Sequence, residues 1–132
     1  MTKLAELIAK EEGYGIPGSV PTRDNNPGDL RHSPHSFHTA DAPDAIGEID
    51  TPSDGWGDLE RQLRLYAERG FTLQEMIYGR LDAATGEYIE AYAPPNENNS
   101  AAYLTYVCTG LGVPASTLVS DALKIPGDHA DE

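Results

Sequence analysis

The stretch LAELIAKEEGYG, residues 4–15, decides how this chain begins to fold. Its apolar residues recur at the spacing of an amphipathic helix, and the positions on one helical face are Leu4, Leu7, Ile8 and Glu11. Thr2 can cap this helix at its start, and Gly13 begins the glycine-rich end. We therefore expect Glu11, Glu12 or both to lie at a helix C-terminus beside an apolar face.

A carboxylic acid in such a place can serve as a proton donor. Apolar surroundings and the negative end of a helix dipole both favour the neutral form of the acid. The same pattern also fits a solvated pair of glutamates at a helix end. Periodicity names Glu11 and Glu12 and does not choose between them.

The composition excludes several classes of protein. The 132 residues, a length typical of one domain, carry 9 Lys+Arg and 22 Asp+Glu, a formal net charge of -13. This charge repels phosphate backbones, so we expect no nucleic-acid partner. No apolar run approaches the ~18 residues that span a membrane. The N-terminus has no long apolar stretch and reaches acidic residues early, so we expect no secretory signal, and synthesis in the cytoplasm without membrane insertion. Cys108 is the single cysteine, which rules out an internal disulfide and suggests a small buried residue.

The middle of the chain changes character. Residues 13–54 are rich in Gly and Pro and lack a long periodic pattern, which predicts loops with a short β-hairpin. Within them, Asn25-Asn26-Pro27-Gly28 is typical of a tight turn. Residues 79–97 are also predicted to be loop.

Helical patterns return after this region. The predicted helices are Gly55–Arg69 with Asp54 as its cap, one that follows the Thr72-Leu73-Gln74-Glu75 capping box, one capped by Asn98 or Asn99, and Ala115–Lys124. The sequence predicts an α+β, mainly α fold with a small β-hairpin or loop lobe after the first helix. We expect one domain over residues 1–124 and a disordered acidic tail over 125–132.

Four stretches, in this order and spacing, resemble a family of phage and prophage lysozyme-like proteins, the structural lytic transglycosylases and muramidases. Together they span most of residues 4–113. They are Ile8-Ala9-Lys10-Glu11-Glu12-Gly13-Tyr14, Arg23-Asp24-Asn25-Asn26-Pro27-Gly28-Asp29-Leu30-Arg31, Asp54-Gly55-Trp56-Gly57-Asp58-Leu59, and Tyr92-Ala93-Pro94-Pro95-Asn96-Glu97-Asn98-Asn99-Ser100 through Tyr103. The resemblance implies a lysozyme-like fold that cleaves peptidoglycan glycan strands at the β-1,4 MurNAc–GlcNAc bond.

The resemblance also implies roles for particular residues. It selects Glu12, the glutamate before glycine, as the catalytic acid. The candidate substrate-binding residues are Asn25, Asn26, Arg31, Tyr92 and Asn98. The asparagines have structural alternatives, since Asn25 and Asn26 can hold the turn and Asn98 can cap a helix. Trp56 is expected in the core rather than as a sugar platform.

The chain departs from the family at Asp24 and Asp29, where the turn usually has asparagine. Asp29 is a candidate second carboxylate, which would stabilise an oxocarbenium-like state or position water. It is equally compatible with neutral drift or with weakened glycan binding. A single-Glu site favours the transglycosylase route, in which a hydroxyl of the sugar attacks and leaves an anhydro end. Hydrolysis by water stays open.

No metal or cofactor is expected. His32, His35 and His38 are spaced by three, but Pro34 interrupts any helix that would stack them as ligands. Surface histidines in a polar loop are the favoured interpretation, with zinc as the alternative. The acidic residues between positions 41 and 50 do not match a calcium-binding loop.

The acidic charge conflicts with free attack on anionic cell wall. We therefore expect delivery to the wall by a partner, such as a virion part or a secretion machine. The alternative is a catalytically inactive lysozyme-like module that meets a basic protein partner. An inhibitor that mimics nucleic acid fits the charge but ignores the four stretches.

Overall fold

The computed structural model describes residues 1–81, 84–86, 88–89, 92 and 99–128. The protein is mainly helical, which confirms the predicted α-rich class. The helices are α1 (Lys3–Glu11), α2 (Val20–Arg23), α3 (Pro52–Glu68), α4 (Leu73–Tyr78), α5 (Ser100–Leu111) and α6 (Val119–Ala122). The antiparallel strands β1 (Arg80–Leu81) and β2 (Tyr88–Ile89) pair with Arg80 opposite Ile89. The contacts define two units, residues 1–63 with the chain from Pro126 onward, and residues 64–125.

In the first unit, α1 begins and ends where the sequence predicts. The Thr2 side chain accepts a hydrogen bond from the Ala5 amide, which caps the helix. Thr2 also donates its amide proton to Glu60 Oε1 of α3 at 2.8 Å. The apolar face of α1 is buried, and its buried members are Leu4, Ala5, Leu7, Ile8 and Ala9. Burial of this face fixes the direction in which the end of α1 points.

The turn at residues 25–28 lies directly against the start of α3. A Cβ atom added to Gly55 would lie 1.9 Å from the Asn25 carbonyl oxygen and 2.9 Å from Pro27 Cδ. A distance of 1.9 Å is far inside van der Waals contact, so only glycine permits this approach. The predicted helix over Gly55–Arg69 is confirmed, with its start moved to Pro52.

The C-terminal segment makes ordered contacts with the start of α1. Pro126 forms a β-bridge with Thr2, and the Gly127 amide donates to the Met1 carbonyl oxygen at 3.2 Å. Asp128 forms an ion pair with Lys3. The disorder expected for residues 125–132 therefore does not extend to residues 126–128, whose backbone is paired. Residues 129–132 lie outside the described residues.

In the second unit, α4 and α5 pack against each other. The capping box at the start of α4 is confirmed, since the Thr72 side chain accepts from the Glu75 amide and Glu75 accepts from the Thr72 amide. Asn99 caps α5 by accepting from Ala102, and Gly112 ends the helix in the left-handed region. The largest buried side chains of this unit include Phe71, Leu73, Met76, Ile77, Val107 and Val119.

Two local predictions are wrong. The helix predicted over Ala115–Lys124 is limited to α6, because residues 115–118 pair their backbone with residues 71–74. The Leu73 amide donates to the Thr117 carbonyl oxygen at 2.9 Å, and Leu118 forms a β-bridge with Thr72, so the backbone there is extended rather than helical. The hairpin predicted after α1 is reduced to one bridge, between Phe37 and Glu48, and the described hairpin is β1–β2, in residues predicted to be loop.

Two glycines of α3 test the contact between the turn and the helix. We expect Gly55→Ala to cost about 1–3 kcal/mol of unfolding free energy or more, since backbone atoms must move to admit the methyl group. Gly57→Ala is the matched control, because nothing lies within 4 Å of its added Cβ. Alanine at this exposed position should stabilise the helix by about 0.5–1 kcal/mol. Urea unfolding measures both. A Gly55→Ala protein as stable as wild type would contradict the close approach.

Candidate functional site

The end of α1 presents Glu12 in a defined backbone position. Glu12 is the C-cap residue, and its amide donates to the Ile8 carbonyl oxygen at 2.9 Å. Gly13 then takes a φ of +94°, which turns the chain away from the helix. Glu11 is exposed, whereas Glu12 is half-buried. The structure thus separates the two glutamates that periodicity left equivalent.

The side chain of Glu12 forms a hydrogen bond with the side chain of Asp29. Asp29 ends the turn in the left-handed region, with a φ of +53°, and its amide donates to the Asn26 carbonyl oxygen at 3.0 Å. Asp29 Oδ1 is buried and has no hydrogen-bond partner within the described part of the chain. The residue proposed from sequence as a second carboxylate therefore contacts the proposed acid.

The surroundings of Asp29 favour its protonated form. Burial raises the pKa of the Asp29 carboxyl above its usual range, and the negative charge of Asp24 adds to the increase. Arg31 and the hydrogen bond with Glu12 act in the opposite direction and lower that pKa. A hydrogen bond lowers the pKa of the carboxyl that accepts it. The causes that raise the pKa of Asp29 outweigh those that lower it.

A third segment, the start of α3, packs against the residues that follow Glu12. The Tyr14 and Trp56 rings meet edge to face, with centroids 5.4 Å apart and planes at 77°. Trp56 is half-buried, so it supports the Gly13-Tyr14 turn and is not fully enclosed in the core. Three stretches of the sequence resemblance thus meet around Glu12.

Asn25 and Asn26 hold the turn. The Asn26 side chain is fully buried, and its amide nitrogen donates to the carbonyl oxygens of Leu30 and Gly47, at 2.7 and 2.9 Å. The burial and bonds of Asn26 fit the alternative in which it holds the turn, and a contact with substrate stays a prediction. The Asn25 side-chain amide donates to the Ile49 carbonyl oxygen at 2.9 Å, so it also bonds the backbone.

The other predicted site residues have separate places. Arg31 is exposed, lies close enough to Asp29 to lower its pKa, and donates to the Asp44 carbonyl oxygen at 2.8 Å. Tyr92 belongs to the second unit, where its ring lies 6.4 Å from those of Tyr66 and Tyr103. Asn98 lies outside the described residues.

Sequence reasoning missed a contact between His35 and Asp58. His35 Nδ1 lies 2.6 Å from Asp58 Oδ1, and the His35 amide donates to Asp58 Oδ2 at 2.9 Å. The Asp58 side chain is 2% exposed. Its burial raises the pKa of Asp58, but the neighbouring Ser33 side chain and the hydrogen bonds with His35 outweigh burial and leave the pKa lowered. No pattern links the two residues, which are 23 positions apart, so the sequence carried no signal for this pair.

His32 and His38 form a ring contact of their own. The His32 and His38 rings lie 5.0 Å apart, and His38 Nε2 lies 2.6 Å from the Arg31 carbonyl oxygen. Within the described ranges, no group of three or more His, Cys, Asp or Glu residues could hold a metal ion.

Comparisons with known proteins gave no match to a family model, to a curated protein or to a solved structure. Among the described helices, none is long and apolar enough to cross a membrane.

The His35–Asp58 pair predicts a pH-dependent contribution to stability. The hydrogen bond with Asp58 raises the pKa of His35 above about 6.5. The ionic part of the contact is therefore fully present below pH ~6.5 and is lost as pH rises through the raised pKa. The pKa of Asp58 is lowered, so its carboxylate stabilises the folded protein above pH ~4. This stabilisation is lost as the pH falls through the lowered pKa.

We therefore expect His35→Gln to lower the urea midpoint more at pH 5 than at pH 9. His32→Gln is the control, because His32 and Asp44 form an exposed ion pair, which contributes little to stability. An equal loss for His35→Gln at both values would show that the charge on His35 does not stabilise the fold.

Proposed function

We propose that this chain has a lysozyme-like fold and cleaves the β-1,4 MurNAc–GlcNAc bond of peptidoglycan, with Glu12 as general acid and then general base. The observation that carries the proposal is the convergence of three stretches around one half-buried glutamate. Asp29 contacts Glu12, Trp56 contacts Tyr14, and Gly55 lies against the Asn25 carbonyl oxygen. Each contact joins segments that the family resemblance had named independently.

The spacing of the carboxyl groups favours a single-acid mechanism. Hydrogen-bonded carboxyl oxygens lie about 2.5–3.0 Å apart. Inverting glycosidases separate their two carboxyls by about 6.5–9.5 Å, and retaining glycosidases by about 5–5.5 Å. A hydrogen-bond contact between Glu12 and Asp29 is closer than either arrangement, so the pair matches neither two-carboxylate geometry. Asp29 is therefore not proposed as a nucleophile or as a separate base.

The proton balance of the reaction requires only Glu12. Glu12 gives its proton to the glycosidic oxygen as the bond from that oxygen to the MurNAc C1 carbon breaks. The Glu12 carboxylate then takes the proton from a hydroxyl of the same MurNAc, whose oxygen attacks C1 and closes an anhydro ring. Water can replace this hydroxyl, which would give a reducing end instead. The position of Glu12 at the C-terminus of α1 favours its protonated form at the start.

The net charge of -13 favours delivery by a partner over free attack. Cell walls are anionic, so an untethered acidic protein is repelled, whereas a tether raises the local concentration. We propose a virion part or a secretion machine as that partner. The same charge favours a second candidate function, a non-catalytic module of such an assembly that binds a basic protein.

Purified sacculi test the proposal. We expect wild-type protein to reduce the turbidity of sacculi and to release muropeptides, and Glu12→Gln to lose at least about 100-fold of the rate, since a general acid contributes roughly 10²–10⁴-fold. Glu11→Gln is the matched control, because it removes the same charge from an exposed neighbouring residue. We expect it to retain the wild-type rate.

The assay is best run near 0.15 M salt, where screening limits repulsion to about 8 Å. Equal rates for Glu12→Gln and wild type would reject Glu12 as the acid. No release by wild-type protein, with folded protein present, would favour the non-catalytic module.

A further inference from the structure

His35 joins the turn at residues 33–36 to α3 at two atoms. Its amide donates to Asp58 Oδ2 at 2.9 Å, and its ring Nδ1 lies 2.6 Å from Asp58 Oδ1. One carboxylate therefore bonds both the backbone and the ring of the same residue, which fixes the orientation of the ring. The other ring nitrogen, Nε2, lies 3.8 Å from Oδ1 of Asp54, one helical turn earlier on α3.

The 33–36 turn is closed by bonds that do not titrate. The Ser36 amide donates to the Ser33 carbonyl oxygen at 3.1 Å, and the Ser33 amide donates to Ser36 Oγ at 2.9 Å. These bonds lie within the turn, so they persist whether or not the turn contacts α3.

The ends of the surrounding loop, residues 30–49, are also held by uncharged groups. The Gly47 amide donates to the Leu30 carbonyl oxygen, and the Asn26 side-chain amide donates to the carbonyl oxygens of both residues. The Ile49 amide donates to the Asp24 carbonyl oxygen at 2.9 Å. Amide and carbonyl groups keep their protonation state between pH ~4 and ~9. A change of pH in this range therefore leaves these bonds in place.

We propose that His35 is a pH-dependent latch, which holds the 33–36 turn on α3 at acidic pH and lets it open more often at alkaline pH, while the ends of the loop stay bound. The charged groups that face the His35 ring are Asp54 and Asp58, both on α3. The latch is a property of the loop and does not rest on the proposed function.

Burial of Asp58 makes the charge on His35 important for docking. The Asp58 side chain is 2% exposed, whereas the Asp54 side chain is 44% exposed. A buried carboxylate without a cation is costly because water solvates it poorly. The protonated His35 ring supplies the cation through a charge-assisted hydrogen bond, which is roughly twice as strong as a neutral one. Loss of the proton leaves a neutral hydrogen bond, so the docked turn is held less tightly.

The direction of the pH effect follows from the two states of the turn. The hydrogen bond with Asp58 raises the pKa of His35 in the docked turn, and an open turn returns the ring to water, where its pKa is about 6.5. The equilibrium constant for opening is therefore smallest below pH ~6.5 and rises as pH passes through the raised pKa. The total rise is about 10-fold for each pH unit that separates the two pKa values.

Hydrogen exchange of single amides, measured by NMR, tests the latch. The His35 amide reports docking because it donates to Asp58, and the Ile49 amide reports the end of the loop. Titration of the His35 ring signals gives its pKa in the same sample. From pH 5 to pH 9, after correction for the intrinsic exchange rate, we expect the protection of the His35 amide to fall by the factor that this measured pKa predicts, at least about 3-fold. The protection of the Ile49 amide should stay constant.

Variants of the pair remove the charge from each side. In Asp58→Asn we expect the His35 pKa to return close to 6.5 and the protection of the His35 amide to become independent of pH. Because Asp58 is buried, His35→Gln, at an exposed residue, is the second variant, and the protection of residue 35 should again be independent of pH.

His32→Gln is the matched control, because it removes an exposed histidine–aspartate pair from the same loop. It should keep the wild-type pH dependence at His35. In wild-type protein, a His35 pKa that is not raised, a smaller fall in protection than the measured pKa predicts, or a parallel fall at Ile49 would overturn the latch.

Discussion

The close approach of the turn at residues 25–28 to the first turn of α3 is the constraint on which the site depends. It is possible because Gly55 has no side chain, so the Asn25 carbonyl oxygen can occupy the space of a Cβ atom. The buried amide of Asn26 fixes the inside of the same turn by bonding Leu30 and Gly47. With the turn fixed at both faces, Asp29 has a defined position opposite the end of α1.

The chemistry of the site follows from this placement. A glutamate at a helix end would ordinarily be solvated and ionised, but Glu12 meets a second carboxyl that is itself partly buried. Mutual repulsion between the two groups makes retention of one proton favourable. Repulsion at long range from an anionic wall is a separate matter, which tethering would overcome.

Helices with strong local signals were predictable from sequence. The Thr2 cap, the capping box at Thr72 and the α1 apolar face all appear as expected, because each depends on residues within one or two turns. The helix predicted after Ala115 failed because its first residues pair with residues 71–74, a contact between distant segments. The hairpin was misplaced for the same reason: alternation alone does not say which segment finds a partner strand.

The site was predictable in part. The resemblance selected Glu12 and named Asp29, but the direct contact between them depends on a turn geometry that no local pattern specifies. Asn26 was assigned to substrate because residue type alone does not distinguish a buried asparagine from an exposed one. The His35–Asp58 pair was missed because it joins a loop to a helix without any spacing rule.

The central claim is that Glu12 alone supplies the proton chemistry of glycan cleavage. Its most direct test is mass spectrometry of purified glycan strands after incubation with the protein in ¹⁸O-labelled water. The account predicts shorter strands whose new ends are anhydro-MurNAc without the label, because a hydroxyl of the sugar, rather than water, attacks C1. New ends that carry ¹⁸O would show that water, and not the sugar hydroxyl, is the attacking group. Strands of unchanged length would contradict the account.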